Sequence, residues 1–587
     1  MHTTYSYWLL SLLLFLTSCG SPDTEPVAAD TPDDEAMREL THEFRQRVEQ
    51  VADGVWVAVG FGLANSILIE GTDGLIVIDT METLEAGLEV ANRFRALSDK
   101  PLAAIIYTHN HADHVFGAQS FVDVLAHPGR PVEVFGHETT AYYVHRIVSE
   151  FRPIISARSY RMFGTKLDRG AQNDGIGISL RINEESDFGF IEPTRTFSDT
   201  LLATVAGLEI RLLHAPGETN DQLFVWIESM GLLAVGDNLY RAFPNLYTIR
   251  GTPHRSVKQW ANSLDLARSL PVDLLVPSHG SAIKGREHSL QILTDYRDAI
   301  RFVYDQTVRY MNQGYTPDEA VAAIELPPHL AKSPYLRELY GKIEWSVKAV
   351  YAGNLGWFDG NPSTLRPLPP LERAQHVQAL AGGFDALTTA LANADERGEH
   401  QWVLELSDHV LRLDPTHEAA RSARVRALIA RGQNASNPNE RQYYLSSALE
   451  LRDGVRFTPL DTSSEVLLAQ LPMTTLFDSL SVNLRAEDVL ETEIKVNLFF
   501  TDTEQWWSLW VRRGVLEVKK SALEGADIEV HTDEMSLKRL LGGKRNVVAA
   551  LATDFDFPVG NALAFGSFLK LFAPERKAPE PAPFAAN

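Results

Sequence analysis

A single cysteine, Cys19, stands in 587 residues. That excludes a disulfide within the chain and any metal site built on several thiolates, so a metal would have to be held by histidine and carboxylate. Basic residues are in deficit: 54 Lys and Arg against 77 Asp and Glu leave a formal charge of −23, with no basic stretch to interrupt it. Such a chain is not expected to bind nucleic acid, and an anionic ligand would need a locally positive site. Proline and glycine, at 30 and 38, are not enriched, which excludes a largely disordered chain. The apolar run at 8–16 is too short to span a bilayer comfortably. What is present is an ordinary globular composition, 44 % hydrophobic and 22 % charged, in a chain long enough for two to four domains.

The run at 8–16 suits the apolar core of a secretory signal, although no Lys or Arg precedes it. It ends in Leu16-Thr17-Ser18-Cys19, which resembles the lipobox of bacterial lipoproteins, where the cysteine becomes the lipidated first residue. The resemblance implies a signal peptide over 1–19, lipidation at Cys19, and an exported, periplasmic or cell-surface protein held to the membrane by its lipid anchor only. Residues 20–40, rich in Pro, Asp, Glu, Thr and Ala, read as a disordered tether.

From about 50 to 290, short apolar segments at 66–70, 74–80, 102–107, 208–214, 223–227, 232–235 and 273–277 read as strands alternating with loops and helices, the pattern of an α/β layered domain. Beyond 290 the apolar period becomes helical, at 290–311, 317–324 and 336–352, with two further helical pairs between 372 and 451. No repeat of fixed period emerges, so this stretch reads as a packing or dimer domain. From about 456 the period changes again: strands are expected at 494–500, 507–511 and 516–519 and a helix at 533–541, a small α+β module. Its aromatic residues, Phe499, Phe500, Trp506, Trp507 and Trp510, form either the core or the lining of an apolar ligand cavity. The last residues, 576–587, read as a disordered tail.

The segment "THNHADHVFG" at 108–117 gathers three histidines and an aspartate directly after an apolar strand. His109 and His111 are two apart and face one side of an extended turn, and Asp113 and His114 follow one turn later. Neutral imidazoles with a carboxylate suit Zn²⁺, and one such turn can grip two ions.

This segment resembles the T-H-x-H-x-D-H signature of the metallo-β-lactamase superfamily, which implies an αββα sandwich with two metals at one sheet edge. Carried over position by position, the resemblance places His109, His111 and Glu218 on one Zn²⁺, Asp113, His114 and His279 on the other, and Asp237 between them. Asp79, ending "GLIVID", falls on the family's early supporting aspartate. Most members have histidine where Glu218 stands. Glutamate there, with Leu223 five places on, resembles the alkyl sulfatases, as does "NLYTIRG" at 245–251, whose Asn245 and Arg250 fall on that family's sulfate-binding positions. "VKAVYAGNLGWFDGNPSTLRPLPP" at 347–370 and "YYLSSALELRDG" near 443–454 resemble the two ends of the alkyl sulfatase dimerisation domain, and the rest is similar to the sterol-carrier-like C-terminal module of these enzymes. The division implied is a catalytic sandwich over 41–295, an all-α dimerisation domain over 296–455 and a sterol-carrier-like α+β domain over 456–575. One departure is Trp345-Ser346, where many members have a His-Asn pair whose histidine is a candidate proton donor.

The expected activity is metal-dependent hydrolysis of an amphiphilic alkyl sulfate such as dodecyl sulfate by a homodimer with two Zn²⁺ per chain. Asp113 and Asp237 would orient the attacking water, and Asn245 and Arg250 would hold the sulfate. Attack at carbon and attack at sulfur are both open. The competing readings are another hydrolase on the same fold, a lactonase or β-lactamase, and a non-catalytic lipid-binding lipoprotein.

Overall fold

The computed structural model describes residues 35–168, 173–456, 461 and 464–572. The expected signal peptide, Cys19 and the tail at 576–587 lie outside them. The first sheet has seven strands in sequential order: β1 (Arg47–Ala52), β2 (Val55–Val59), β3 (Ser66–Glu70), β4 (Leu75–Ile78), β5 (Leu102–Ile106), β6 (Glu133–His137) and β7 (Arg195–Phe197). It is antiparallel through β4 and parallel from β4 to β7. The second comprises β8 (Thr200–Val205), β9 (Leu208–His214), β10 (Leu223–Ile227), β11 (Leu232–Gly236), β12 (Leu274–Pro277) and β13 (Ile283–Lys284), in the order β13-β12-β11-β10-β9-β8.

Side-chain alternation makes the layers. On β4, Ile76 and Ile78 face inward to meet Ile210, Leu212, Val225 and Val276 of the second sheet. Their neighbours Leu75 and Val77 face outward onto Val90, Phe94 and Phe121 of two covering helices. Phe224, Trp226 and Leu233 likewise face outward from the second sheet onto Trp260, Leu264 and Tyr296. Because both faces are covered, β4, β5, β10 and β11 are apolar along their whole length and buried throughout. This is the αββα sandwich.

Two boundaries differ from the sequence reading. A helix, Glu35–Glu43, begins inside the segment expected to be a tether, because Met37, Leu40 and the following Phe44 share one face and are buried beside Leu63 and Tyr240. The expected break at 295/296 falls inside one continuous helix, Arg286–Met311, whose Ile292, Tyr296, Ile300 and Val303 pack on the sandwich beside Trp260. Leu336 is not helical either; that helix spans Ile343–Leu355. Where two helical pairs were expected there are five helices, Pro370–Ala381, Phe384–Glu396, His400–Leu413, Glu418–Asn434 and Pro438–Asp453, around Leu391, Val403, Val410 and Ala427.

The last of these docks on the sandwich. Arg161 and Glu450 form a buried bidentate pair at 2.7 and 2.9 Å, and Gln442 Nε2 donates to Asp174 at 2.9 Å. The C-terminal unit carries a third sheet, β14 (Glu493–Phe500), β15 (Gln505–Arg512), β16 (Val515–Lys519), β17 (Ile528–Thr532) and β18 (Asp556–Val559), in the order β16-β15-β14-β17-β18. Phe500 and Trp507 belong to its core, with Trp507 5.2 Å from Phe477.

Candidate metal centre and adjoining cavity

Four strand ends of the sandwich meet at one edge. The turn after β5 supplies His109 and His111, and the short helix Ala112–Val115 that follows supplies Asp113 and His114. Glu218 lies in the turn between β9 and β10, Asp237 directly follows β11, and His279 follows β12. Gly236, at φ +54°, is required before Asp237: any side chain there would run into Gln222 and Thr108.

All seven side chains converge. Metal-ligating atoms of Asp113, His114 and His279 lie within 4.8 Å of one another, as do those of His109, His114 and Asp237, and those of His111, Glu218 and Asp237. His279 Nε2 is 3.1 Å from Asp237 Oδ2 and 3.6 Å from Asp113 Oδ2. His114 Nε2 is 3.3 Å from Asp113 Oδ2 and 3.5 Å from Asp237 Oδ1. His109 Nε2 is 2.9 Å from His111 Nδ1. Burial, joined by neighbouring positive charge, holds His109 and His111 well below the ordinary histidine range, so both stay neutral. Burial also pushes the Asp113 and Asp237 carboxyls up, but the surrounding histidines more than reverse this and both remain ionised. Buried polar atoms are left without a hydrogen-bond partner at the centre, His114 Nε2 and Asp237 Oδ1. Against their burial, the carboxylates in turn push His114 and His279 above the ordinary histidine range, and a divalent cation would replace the protons they hold. Four imidazoles, two of them held neutral, and ionised carboxylates are the donor set such a cation requires, so these residues fit a metal.

Further buried groups fix the cluster. Asp79 Oδ2 is 2.8 Å from His114 Nδ1, from the Thr108 hydroxyl and from the Ser278 hydroxyl, while Oδ1 accepts from the Thr108 backbone N–H. Asp221 accepts from Asn110, between the two leading histidines, at 2.5 Å and from Thr140 at 2.7 Å, tying their turn to the one that carries Glu218. Glu218 itself is paired at 2.7 Å with Arg255, both 2 % exposed, and accepts from the Tyr240 hydroxyl at 3.1 Å. Burial raises Glu218 to about 7, with Arg255 opposing. Arg255, Tyr240 and Asp221 escape a reading of the sequence, since an arginine in "GTPHRS" looks like part of a surface turn and gives no sign of the carboxylate it meets.

Two cavities adjoin the centre. The first, about 120 Å³, is lined by His111, Asp113, Asp237 and Arg250 and is otherwise mostly apolar, with Val144, Ile147, Val148, Phe163, Ile182 and Phe188 among its walls. The second, about 270 Å³, shares His111, Ile147 and Arg250 with it and adds Arg146, Arg158 and Arg255. Arg250 therefore stands where the two meet, with Nη2 3.0 Å from His111 Nε2. Asn245, expected beside it on the sulfate, lines neither cavity. Its backbone N–H donates to the Tyr240 hydroxyl at 2.7 Å and its carbonyl accepts from Arg255, while its buried side-chain Oδ1 has no hydrogen-bond partner. Trp345 and Ser346 are also absent from the lining: Ser346 is buried on its own helix, donating to Lys342 O, and Trp345 lies under the Lys342 ammonium. Tyr340 does line the first cavity.

Residues 59–279 match the model of the metallo-beta-lactamase superfamily, 316–454 that of alkyl sulfatase dimerisation, and 461–578 that of the alkyl sulfatase C-terminal domain. The chain is 36 % identical over 520 residues to a linear primary-alkylsulfatase of a Pseudomonas strain, which spans 86 % of this chain and 98 % of that protein. It is 28 % identical over 548 residues to an (R)-specific secondary-alkylsulfatase of Pseudomonas, covering 89 % of this chain and 80 % of that one. The solved structure of the stereoselective inverting sec-alkylsulfatase Pisa1 from Pseudomonas superposes with a TM-score of 0.85 at 26 % identity, over 93 % of this chain and 88 % of that one. With its three domains matched in order, and a glutamate among the buried imidazoles of its sandwich, the chain belongs to the alkyl sulfatase family of the metallo-β-lactamase superfamily.

Proposed function

We propose that the protein hydrolyses alkyl sulfate esters to an alcohol and inorganic sulfate, using two zinc ions held by His109, His111, Asp113, His114, Glu218, Asp237 and His279. The observation that carries this reading is the position of Arg250, between a cluster of metal-ligating side chains and a mostly apolar cavity. A substrate suited to that place has a small oxygen-rich anionic head and an alkyl tail. The family relatives, two of them named as alkylsulfatases acting on primary and secondary esters, support it. When bound, zinc supplies positive charge and lowers the pKa of a coordinated water from about 15.7 toward about 7.

The chain's own groups do the rest. The Arg250 guanidinium binds the sulfate through paired N–H donors, and Arg255, whose Nε and Nη2 have no hydrogen-bond partner, adds positive charge beside it. Asn245 shapes the Arg250 loop. Asp113 and Asp237, both ionised, accept hydrogen bonds from the attacking water and orient it. Tyr340, held protonated by burial and by the Glu218 charge, stands in the cavity as a donor to the leaving oxygen. The apolar wall excludes water from the tail.

In the cell the protein is read as an exported lipoprotein anchored through Cys19, and as a homodimer through its helical unit, which matches the dimerisation family. The deciding experiment is to incubate purified protein with dodecyl sulfate and, separately, with a β-lactam, and to measure inorganic sulfate and ring opening. Sulfate release that is lost on chelation and restored by zinc supports the reading; ring opening without sulfate release overturns it. Run in ¹⁸O-water, the same assay separates attack at carbon, which labels the alcohol, from attack at sulfur, which labels the sulfate.

A further inference from the structure

The apolar cavity is walled by two segments that the sandwich does not secure by itself. The Thr140–Val148 helix contributes Val144, Ile147 and Val148, and the irregular stretch through 188 contributes Ile182 and Phe188. Both are held from outside by the C-terminal unit. Leu467, on the Glu465–Gln470 helix that leads into that unit, is buried in the same apolar cluster as Val144, Phe116, Ile182 and Phe188, the one member of that cluster among the described residues that comes from beyond the sandwich. The Ser464 hydroxyl, at the cap of that helix, donates to the Phe188 carbonyl at 3.3 Å.

A second contact comes from the helix Glu534–Leu541. Its Lys538 is 5 % exposed and its ammonium donates to Ala469 O at 3.4 Å. The Lys538 charge acts on His145 and Glu192 of the sandwich, which pair with each other at 3.2 Å. A third lies at Arg152, another lining residue, on which the Asp461 carboxylate acts. Leu467 and Ser464 thus hold the segments that form one cavity's apolar wall, and two charges of the same unit, Lys538 and Asp461, act on residues of those segments or beside them.

We propose that the C-terminal unit backs the apolar wall of the alkyl-tail cavity and that Leu467, clustered with the lining residues Val144, Ile182 and Phe188 without itself lining the cavity, limits the length of tail the enzyme accepts by fixing where that wall stands. The inference rests on the alkyl sulfate reading above and gives the unit a role apart from any lipid binding by its aromatic residues, of which Trp507 is committed to its core. Each methylene moved from water to an apolar wall contributes about 0.8 kcal/mol, roughly fourfold in affinity. Gain per carbon should therefore continue until the tail reaches the wall, and then stop.

The test is a series of linear sulfates from hexyl to tetradecyl below their micellar concentrations, assayed with the full chain and with Leu467→Ala and Leu467→Phe. Binding of the matching unreactive alkanesulfonates is measured by calorimetry on the same proteins. Leu467→Ala should shift the length at which kcat/KM and affinity level off upward by about two carbons, and raise the tetradecyl-to-octyl ratio about tenfold. Leu467→Phe, which keeps the site filled and guards against loss of folding in the smaller variant, should shift the plateau downward. An equal change at every length in both variants would overturn the proposal while leaving the activity intact. Sulfonate plateaus that shift as described, in a protein that hydrolyses no sulfate ester, would keep the wall and overturn the activity.

Discussion

Oδ2 of Asp79 lies 2.8 Å from Nδ1 of His114, and both side chains are closed to solvent. The contact fixes the imidazole so that Nε2 points at Asp113 and Asp237. Asp79 holds this place at φ +59°, a left-handed conformation that asparagine also tolerates, so Asp79→Asn should fold. It would lose a carboxylate oxygen shared by three donors. Zinc affinity, read by competition with a chromogenic chelator, is expected to fall 10- to 100-fold. Unchanged affinity would show that the aspartate does not support the metal.

Arg255 and Glu218 form a pair inside the protein. Arg255→Met leaves a buried carboxylate without its cation, which costs about 3–5 kcal/mol. On metal-stripped protein this should appear as a lower denaturation midpoint at pH 8. Glu218→Gln added to Arg255→Met should recover much of the loss, because the uncompensated charge is gone.

His145 sits between the sandwich and Lys538, and burial, with the lysine's charge, lowers its pKa to about 4. An unfolded histidine titrates near 6.5, so between those values the unfolded chain binds more protons, and stability falls as pH drops from 6.5 to 4. The full effect is about 3 kcal/mol. In His145→Gln the difference in melting temperature between pH 7 and pH 4.5 should be smaller than in the unsubstituted protein. An unaltered difference would place the proton uptake elsewhere.

The Arg161–Glu450 pair joins the helix Arg152–Phe163, which lines the apolar cavity, to the last helix of the helical unit. Arg161→Met alone should destabilise by about 3–5 kcal/mol and raise KM for dodecyl sulfate. The double change Arg161→Met with Glu450→Leu should restore most of the stability. Recovery of stability without recovery of KM would show that the ion pair, beyond apolar packing, sets the position of the cavity wall.

The strands at 66–70 and 223–227 were legible to the residue because burial keeps their interiors apolar, and that at 208–214 because buried apolar positions alternate with polar, more exposed ones. Strand β1 and the exposed β8 were not, since half-solvated faces admit Arg, Glu, Gln and Thr; β2, Val55–Val59, was not read either, although it is apolar and largely buried. The seven ligand candidates were legible for a related reason. Asp237 and His279 follow their strands by one and two residues, and the rest sit in the turns and short helix just beyond β5 and β9, where a short motif carries the metal-binding side chains together. Their nearness across 170 residues, from His109 to His279, is the work of the sandwich.

By itself the amino-acid sequence determined the layered fold, the order of the three domains and the candidate metal-binding residues, because these depend on local periodicity and on chemistry carried by single residues. Only the tertiary structure decided that Arg255 pairs with Glu218, that the Asn245 backbone is held by Tyr240 and Arg255, and that Leu467 joins an apolar cluster formed nearly three hundred residues earlier. Those are facts of packing: they depend on which surfaces are pressed together when water is expelled, and no local pattern in the chain encodes the partner across such a gap.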